Sequence, residues 1–146
     1  MNSEYPNPWD FSNIDKNLIS SNGLYKIEFG ELSEIAMGAP IGGECFLKLD
    51  NLKFRLNKWC AGPVIWNNLS TKIALPTWTK NRNQKIEIAD IEKKIITTYK
   101  REFRVLHFQS FIANLLQGLD SPIHMTRTLY FDLDKEEVEK TREMSE

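Results

Sequence analysis

Nucleophilic and metal-binding chemistry in proteins depends mostly on cysteine and histidine, and this chain has two of each: Cys45, Cys60, His107 and His124. The sequence contains no Gly-x-Ser-x-Gly elbow and no Cys-x-x-Cys pair, and the spacing of the histidines matches no standard zinc motif. We therefore predict no catalytic residue, no metal ligand and no bound cofactor, and we expect that the chain is not an enzyme. The alternative is an enzyme with an unrecognised site near His124, His107 and Cys45.

Carboxylates are the next candidates for function. Glu28, Glu31, Glu34 and Glu44 lie in strand-like sequence with few cations close by in the chain. A patch of carboxylates can imitate phosphate groups and cover the basic active site of a nuclease. We therefore predict that these four glutamates bind a partner protein. The alternative is that they serve only solubility.

The charges of the whole chain are unevenly placed, although the net charge is only -1. Residues 1–45 hold seven acidic residues and two lysines, residues 46–104 hold thirteen basic and five acidic residues, and residues 105–146 hold eight acidic and four basic residues. Such asymmetry can form surfaces of opposite sign that steer a partner. The alternative is that strands from the three blocks interleave and the charges mix in space.

Aromatic residues add one more candidate. Three of the four tryptophans, Trp9, Trp66 and Trp78, are expected in the core, whereas Trp59 follows Asn57 and Lys58 in a polar stretch. Tryptophan is enriched among the residues that dominate binding energy, so Trp59 is predicted to be an interface anchor or a platform for a sugar.

A basic cluster close to one predicted hairpin could in principle bind nucleic acid. Its members are Lys93, Lys94, Lys100, Arg101 and Arg104. The sequence pI of about 6.2 is unlike that of nucleic-acid-binding domains, which are usually strongly basic. We therefore expect no nucleic acid partner and interpret the cluster as a solvated hairpin end.

The elements that would position these residues are mostly β-strands. Residues 24–30 and 85–99 show the period-two alternation of apolar and polar side chains that is typical of half-buried strands and hairpins. A second hairpin is predicted around Asp50-Asn51, and Pro76 favours an edge strand or a bulge. About ten short strands with little helix predict an antiparallel β-sandwich or open barrel.

The length of 146 residues predicts one domain, with a core over residues 24–133. Residues 1–23 are expected to be an irregular arm docked on that core, with a short helix around 14–20 capped by Asn13. Residues 134–146 are rich in charge and nearly free of apolar residues, which predicts a charged tail that is a frayed helix or disordered.

The compartment is inferred from what the sequence lacks. No apolar run approaches the roughly 20 residues of a membrane helix, and the first ten residues do not have the character of a secretory signal. We expect a cytoplasmic protein with no membrane partner, in which Cys45 and Cys60 are buried reduced thiols. A disulfide between them is the alternative.

In its length, patchy charge, Asn/Lys/Ile-rich composition and lack of catalytic motifs, the chain resembles the small cytoplasmic immunity proteins of contact-dependent inhibition and other bacterial polymorphic toxin systems. The resemblance rests on general character and carries over no individual residue. It implies a binding protein that neutralises one cognate toxin, such as a nuclease, by forming a tight complex. The alternative from another class is a β module that binds a carbohydrate or small molecule.

Overall fold

A computed structural model describes residues 6–145, and these residues form twelve β-strands and no α-helix. The strands are β1 (Tyr25–Phe29), β2 (Ser33–Glu34), β3 (Ile41–Leu49), β4 (Leu52–Cys60), β5 (Ile65–Trp66), β6 (Lys72–Trp78), β7 (Gln84–Asp90), β8 (Ile95–Phe103), β9 (Leu106–Ile112), β10 (Leu115–Asp120), β11 (Arg127–Asp132) and β12 (Val138–Glu143). One 3₁₀ turn, η1, spans Lys16–Leu18.

The strands make two antiparallel sheets. The larger sheet has nine strands in the order β1-β3-β4-β6-β7-β8-β12, with β2 paired to β3 and β5 paired to β6. The smaller sheet has the order β11-β10-β9. The larger sheet curls, so that Ser145, just beyond β12, makes an isolated bridge to Arg55 of β4. The predicted mainly β, antiparallel, sandwich-like class with little helix is confirmed, and no closed barrel forms.

Two cores lie on opposite faces of the central strands β6, β7 and β8. The first core lies inside the curled sheet and includes Ile27, Leu47, Leu56 and Leu75. The second core lies between β6–β8 and the three-stranded sheet, and its members are Ala74, Ile86, Ile88, Tyr99, Phe103, Leu106, Phe108, Phe111, Leu116, Leu129 and Phe131. Because side chains alternate across a strand, neighbouring residues of β6 and β7 enter different cores. These strands are therefore covered on both faces.

The hairpins predicted from period-two alternation are confirmed. β3 and β4 are joined at Asp50 and Asn51, and Asp50 adopts a positive φ of 52° that suits its turn position. β7 pairs with β8 along most of its length, as expected for residues 85–99. In β1, Ile27 and Phe29 are buried, which is the face predicted for them.

The charged C-terminal segment differs from the prediction of a frayed helix or disorder, because Val138–Glu143 forms β12 on the edge of the large sheet. Its side chains are mostly exposed, so the sequence shows no apolar alternation. Backbone pairing with β8 holds the strand in place, together with ion pairs such as Lys100–Glu137, at 3.0 Å, and Lys85–Glu139. A charged edge strand also discourages pairing with another chain.

Of the two placements predicted for Pro76, an edge strand or a bulge, the edge strand is wrong, since β6 has neighbours on both sides. The Pro76 carbonyl accepts a hydrogen bond from the Ala61 N–H at 2.8 Å, so the missing N–H of the proline points to the same side. On that side β6 pairs with β4 only at Thr77 before β5 takes over. The proline therefore falls where the ladder is already interrupted.

The arm preceding β1 is irregular over its described part, residues 6–23. The helix predicted over residues 14–20 shrinks to the single turn η1, and Asn13 does not cap it. Instead, the Asn13 amide donates to the Phe29 carbonyl at 2.8 Å and its oxygen accepts from the Phe29 N–H at 2.7 Å. Phe11 and Leu18 from the arm are buried in the first core.

The two cysteines are buried and form no disulfide with each other, as predicted for reduced thiols. Burial raises the pKa of the Cys60 thiol well above its ordinary value, and a hydrogen bond with Cys45 acts in the same direction. Because the thiolate is the reactive form, both residues should be inert in the native protein.

We expect that Ellman's reagent at pH 8 leaves both thiols of the native chain unmodified over minutes and modifies both in guanidinium chloride. The absorbance of released thionitrobenzoate measures the count. Rapid reaction of either thiol without denaturant would contradict the buried placement.

Within residues 6–145 there is no helix with the length and apolar character needed to cross a lipid bilayer.

Candidate partner-binding surface

Strand β3 organises the residues that the sequence singled out for partner binding. Glu44 lies on β3 itself, and Glu28 on β1 stands opposite Phe46 of β3. Glu34 on β2 stands opposite Ile41. The fold therefore gathers these glutamates along one strand although they are spread over 17 positions in the chain.

The other two candidate residues, Glu31 and Trp59, lie close to Gly43 of β3 along the backbone. Gly43 pairs with Cys60, the residue after Trp59, and a Cβ on Gly43 would lie 2.4 Å from the Glu31 carbonyl oxygen. Only glycine allows the Glu31 backbone to approach so closely. We call the resulting patch the β3 surface, formed by Glu28, Glu31, Glu34, Glu44 and Trp59 with the cations that contact them.

Trp59 is partly exposed because β4 is bulged at this point. Two register shifts interrupt the β3–β4 ladder, and the Trp59 N–H donates to the Asn57 side chain at 2.7 Å. The Trp59 ring packs on Trp78 of β6 with centroids 6.4 Å apart, and it remains 37% exposed whereas Trp78 is only 8% exposed. One indole is thus presented to solvent on a buried aromatic support.

The glutamates have more cationic neighbours than the sequence suggested. Lys53 lies 3.0 Å from Glu28, and Arg55 lies 3.3 Å from Glu44. The hydrogen bond from Lys53 is the main reason that the pKa of Glu28 is lowered. The expectation of few accompanying cations is therefore wrong for these two residues. Strand β4, which lies within the basic residues 46–104, pairs directly with β3 and brings Lys53 and Arg55 beside the glutamates.

Glu31 and Glu34 form the acidic part of the β3 surface. Both are exposed, and neither forms an ion pair within the described part of the chain. The Glu34 carboxylate accepts a hydrogen bond from the Gly38 N–H at 3.1 Å, which fixes its position. The β3 surface thus has an acidic end at Glu31 and Glu34 and a mixed end at the two ion pairs.

Comparison of the chain with protein-family models, with curated proteins and with solved structures finds no match. Function is therefore inferred from the side chains and their geometry.

The cysteine and histidines named as an alternative catalytic set do not share a cleft in the structure. Cys45 is fully buried in the first core. His107 and His124 line separate clefts, of about 450 Å³ and 340 Å³. Burial lowers the pKa of His107 below its ordinary value.

The cleft at His107 is lined mainly by apolar side chains. Its walls include Pro63, Val64, Ile65 and Phe108. The amide of Asn17, which also lines it, donates to the Val64 carbonyl at 2.9 Å. We call it the Pro63 cleft.

The buried charge on β7 is a feature that sequence reasoning missed. Alternation placed Glu87 on a polar face, but its side chain is 5% exposed and points toward the inside of the curled sheet. It lies 2.9 Å from Arg142 and accepts hydrogen bonds from Asn57 at 3.0 Å and Thr98 at 2.8 Å. Sequence reasoning could not identify this ion pair, because Arg142 lies in the segment that was interpreted as a charged tail.

Proposed function

We propose that this protein is a binding protein of the immunity type, which neutralises a cognate bacterial toxin by forming a tight complex through the β3 surface. The observation that supports the proposal most directly is Trp59, an exposed indole that packs on the buried Trp78. Trp59 lies on β4, the strand that also supplies Lys53 and Arg55 to the ion pairs with Glu28 and Glu44. Residues that dominate protein interfaces are commonly tryptophans in such surroundings.

The charges on the β3 surface suit fast and selective association. Glu31 and Glu34 present unpaired carboxylates, which attract a partner whose binding site is basic, as nuclease active sites are. The Lys53–Glu28 and Arg55–Glu44 pairs can exchange partners across an interface, and a mismatched protein would leave such charges without partners. Charge of this kind acts more on the association rate and on specificity than on affinity.

The rigidity of the surface lowers the cost of binding. Its residues lie on or beside paired strands, and Gly43 in β3 allows the Glu31 backbone to pack closely against the sheet. Side chains that are already ordered lose less conformational entropy on association. A small preformed sheet can therefore support tight binding over an interface of ordinary size.

The test is complex formation with the protein encoded by the neighbouring gene, produced with its active site disabled. We expect one stable complex of the two chains on size-exclusion chromatography, and protection of cells that express the active partner. Absence of a complex together with absence of protection would overturn the proposal.

The Pro63 cleft supports a second candidate function, the binding of a carbohydrate or another small molecule. A volume of about 450 Å³ lies within the usual range for such sites, and its apolar walls carry the polar groups of Asn17, His107 and Gln109. Members of a glycan and metabolite panel are titrated into the protein while its tryptophan fluorescence is recorded, and this measurement separates the two candidates. Trp66 is the reporter, because it is the residue after Ile65, which lines the cleft. Saturable quenching that Ile65→Trp abolishes would favour the small-molecule module.

A further inference from the structure

A second polar cleft opens where the curled large sheet fails to close. One wall is formed by residues 55–58 of β4, the other by Lys140, Arg142 and Ser145 at the C-terminal end, and Glu87 lies at the floor. The Arg55–Ser145 bridge joins the walls, and Arg142 donates to the Leu56 carbonyl at 2.7 Å. We call this opening, of about 350 Å³, the seam cleft.

Both oxygens of the carboxylate at the floor of the seam cleft already accept hydrogen bonds. One oxygen of Glu87 accepts from Arg142 and Asn57, and the other accepts from Thr98. Its charge is therefore neutralised by Arg142, and it offers little attraction to a bound cation. The floor acts as a rigid support that fixes the Arg142 guanidinium on the C-terminal wall.

The walls carry an excess of positive charge. Among the described residues, Arg55, Lys58, Lys140 and Arg142 line the cleft together with one carboxylate, that of Glu87. Arg55 is partly balanced by Glu44, but Lys58 and Lys140 form no ion pair within residues 6–145. Two lysines and two arginines held around one small opening repel one another, and an anion between them would relieve that repulsion.

We propose that the seam cleft binds a small phosphate-bearing anion, either inorganic phosphate or a phosphate monoester. Guanidinium and ammonium donors on opposite walls match the several acceptor oxygens of a phosphate, and charge-assisted hydrogen bonds of this kind are the strong ones. The cleft volume fits one phosphate group with a small substituent. The seam cleft adjoins the β3 surface at Arg55, but the inference does not depend on the toxin complex.

The decisive experiment is calorimetric titration of the purified chain with inorganic phosphate and, separately, with a nucleoside monophosphate, at constant ionic strength set with chloride. We expect saturable binding of one anion per chain. Equal affinity for the two ligands indicates free phosphate as the ligand, whereas tighter binding of the monophosphate indicates a monoester.

The variant Lys58→Gln/Lys140→Gln removes the two unpaired cations, and we expect its affinity for the tighter ligand to fall by about tenfold or more. The matched control Lys16→Gln/Lys80→Gln makes the same change in net charge at exposed positions outside the cleft and should bind like the wild type. Both doubles replace exposed side chains, so their thermal transitions should match. No saturable binding at millimolar ligand, or equal loss in both doubles, would overturn the proposal.

Discussion

Replacing Arg142 with methionine is expected to lower the free energy of unfolding by about 3 kcal/mol. The substitution leaves the Glu87 carboxylate buried without its cation, with only Asn57 and Thr98 as hydrogen-bond donors. Breaking a buried pair costs about 3–5 kcal/mol when both partners are buried, and the low end applies because Arg142 is 37% exposed. Urea denaturation followed by circular dichroism measures the change.

An exposed ion pair between β8 and the residue that precedes β12 provides the control. Lys100 and Glu137 are 3.0 Å apart, and both side chains are more than half exposed. Lys100→Met should change stability by less than about 1 kcal/mol. A double variant, Glu87→Gln with Arg142→Met, should recover part of the loss, because no charge is left buried and glutamine still accepts from Asn57. Equal effects of Arg142→Met and Lys100→Met would show that the buried pair does not hold β12.

Replacing Trp59 with alanine is expected to weaken the complex with the cognate toxin by about 30-fold, equivalent to about 2 kcal/mol. The indole is the largest apolar group exposed on the β3 surface, and Trp78 holds it in place. Truncation removes the contact area and opens the centre of the interface to water. Calorimetric titration of the inactivated toxin into each variant measures the change.

Tyr130→Ala is the matched control, since Tyr130 is an exposed aromatic (62%) on the three-stranded sheet. It should leave the affinity unchanged. Because Trp59 is more than a third exposed, its removal should lower the thermal transition only slightly, which separates lost binding from unfolding. A loss of affinity for Tyr130→Ala but not for Trp59→Ala would move the interface to the other sheet.

The sequence predicts well the strands that have one polar and one apolar face. β1 and the β3–β4 and β7–β8 hairpins follow period-two alternation and turn residues such as Asp50, both of which are local signals. The buried thiols were predicted from the expected cytoplasmic compartment, where free cysteines are usually reduced core residues.

The features that the sequence did not predict depend on contacts between distant segments. β12 has no apolar face, and only its pairing with β8 and the Arg142–Glu87 contact, 55 residues apart, reveal it as a strand. Likewise, the mixing of charge at Glu28 and Glu44 depends on which strand pairs with β3. Sheet order is a property of the whole chain, so local patterns could not assign these partners.

Titration of the active toxin with the purified chain tests most directly the proposal that the chain neutralises a toxin by binding it. The protein to be titrated is the product of the neighbouring gene, and its activity is measured at a concentration well above the dissociation constant. The account predicts that activity falls linearly and ends at one equivalent of the chain, with Trp59→Ala needing a clear excess. Full toxin activity in the presence of excess wild-type chain would contradict it.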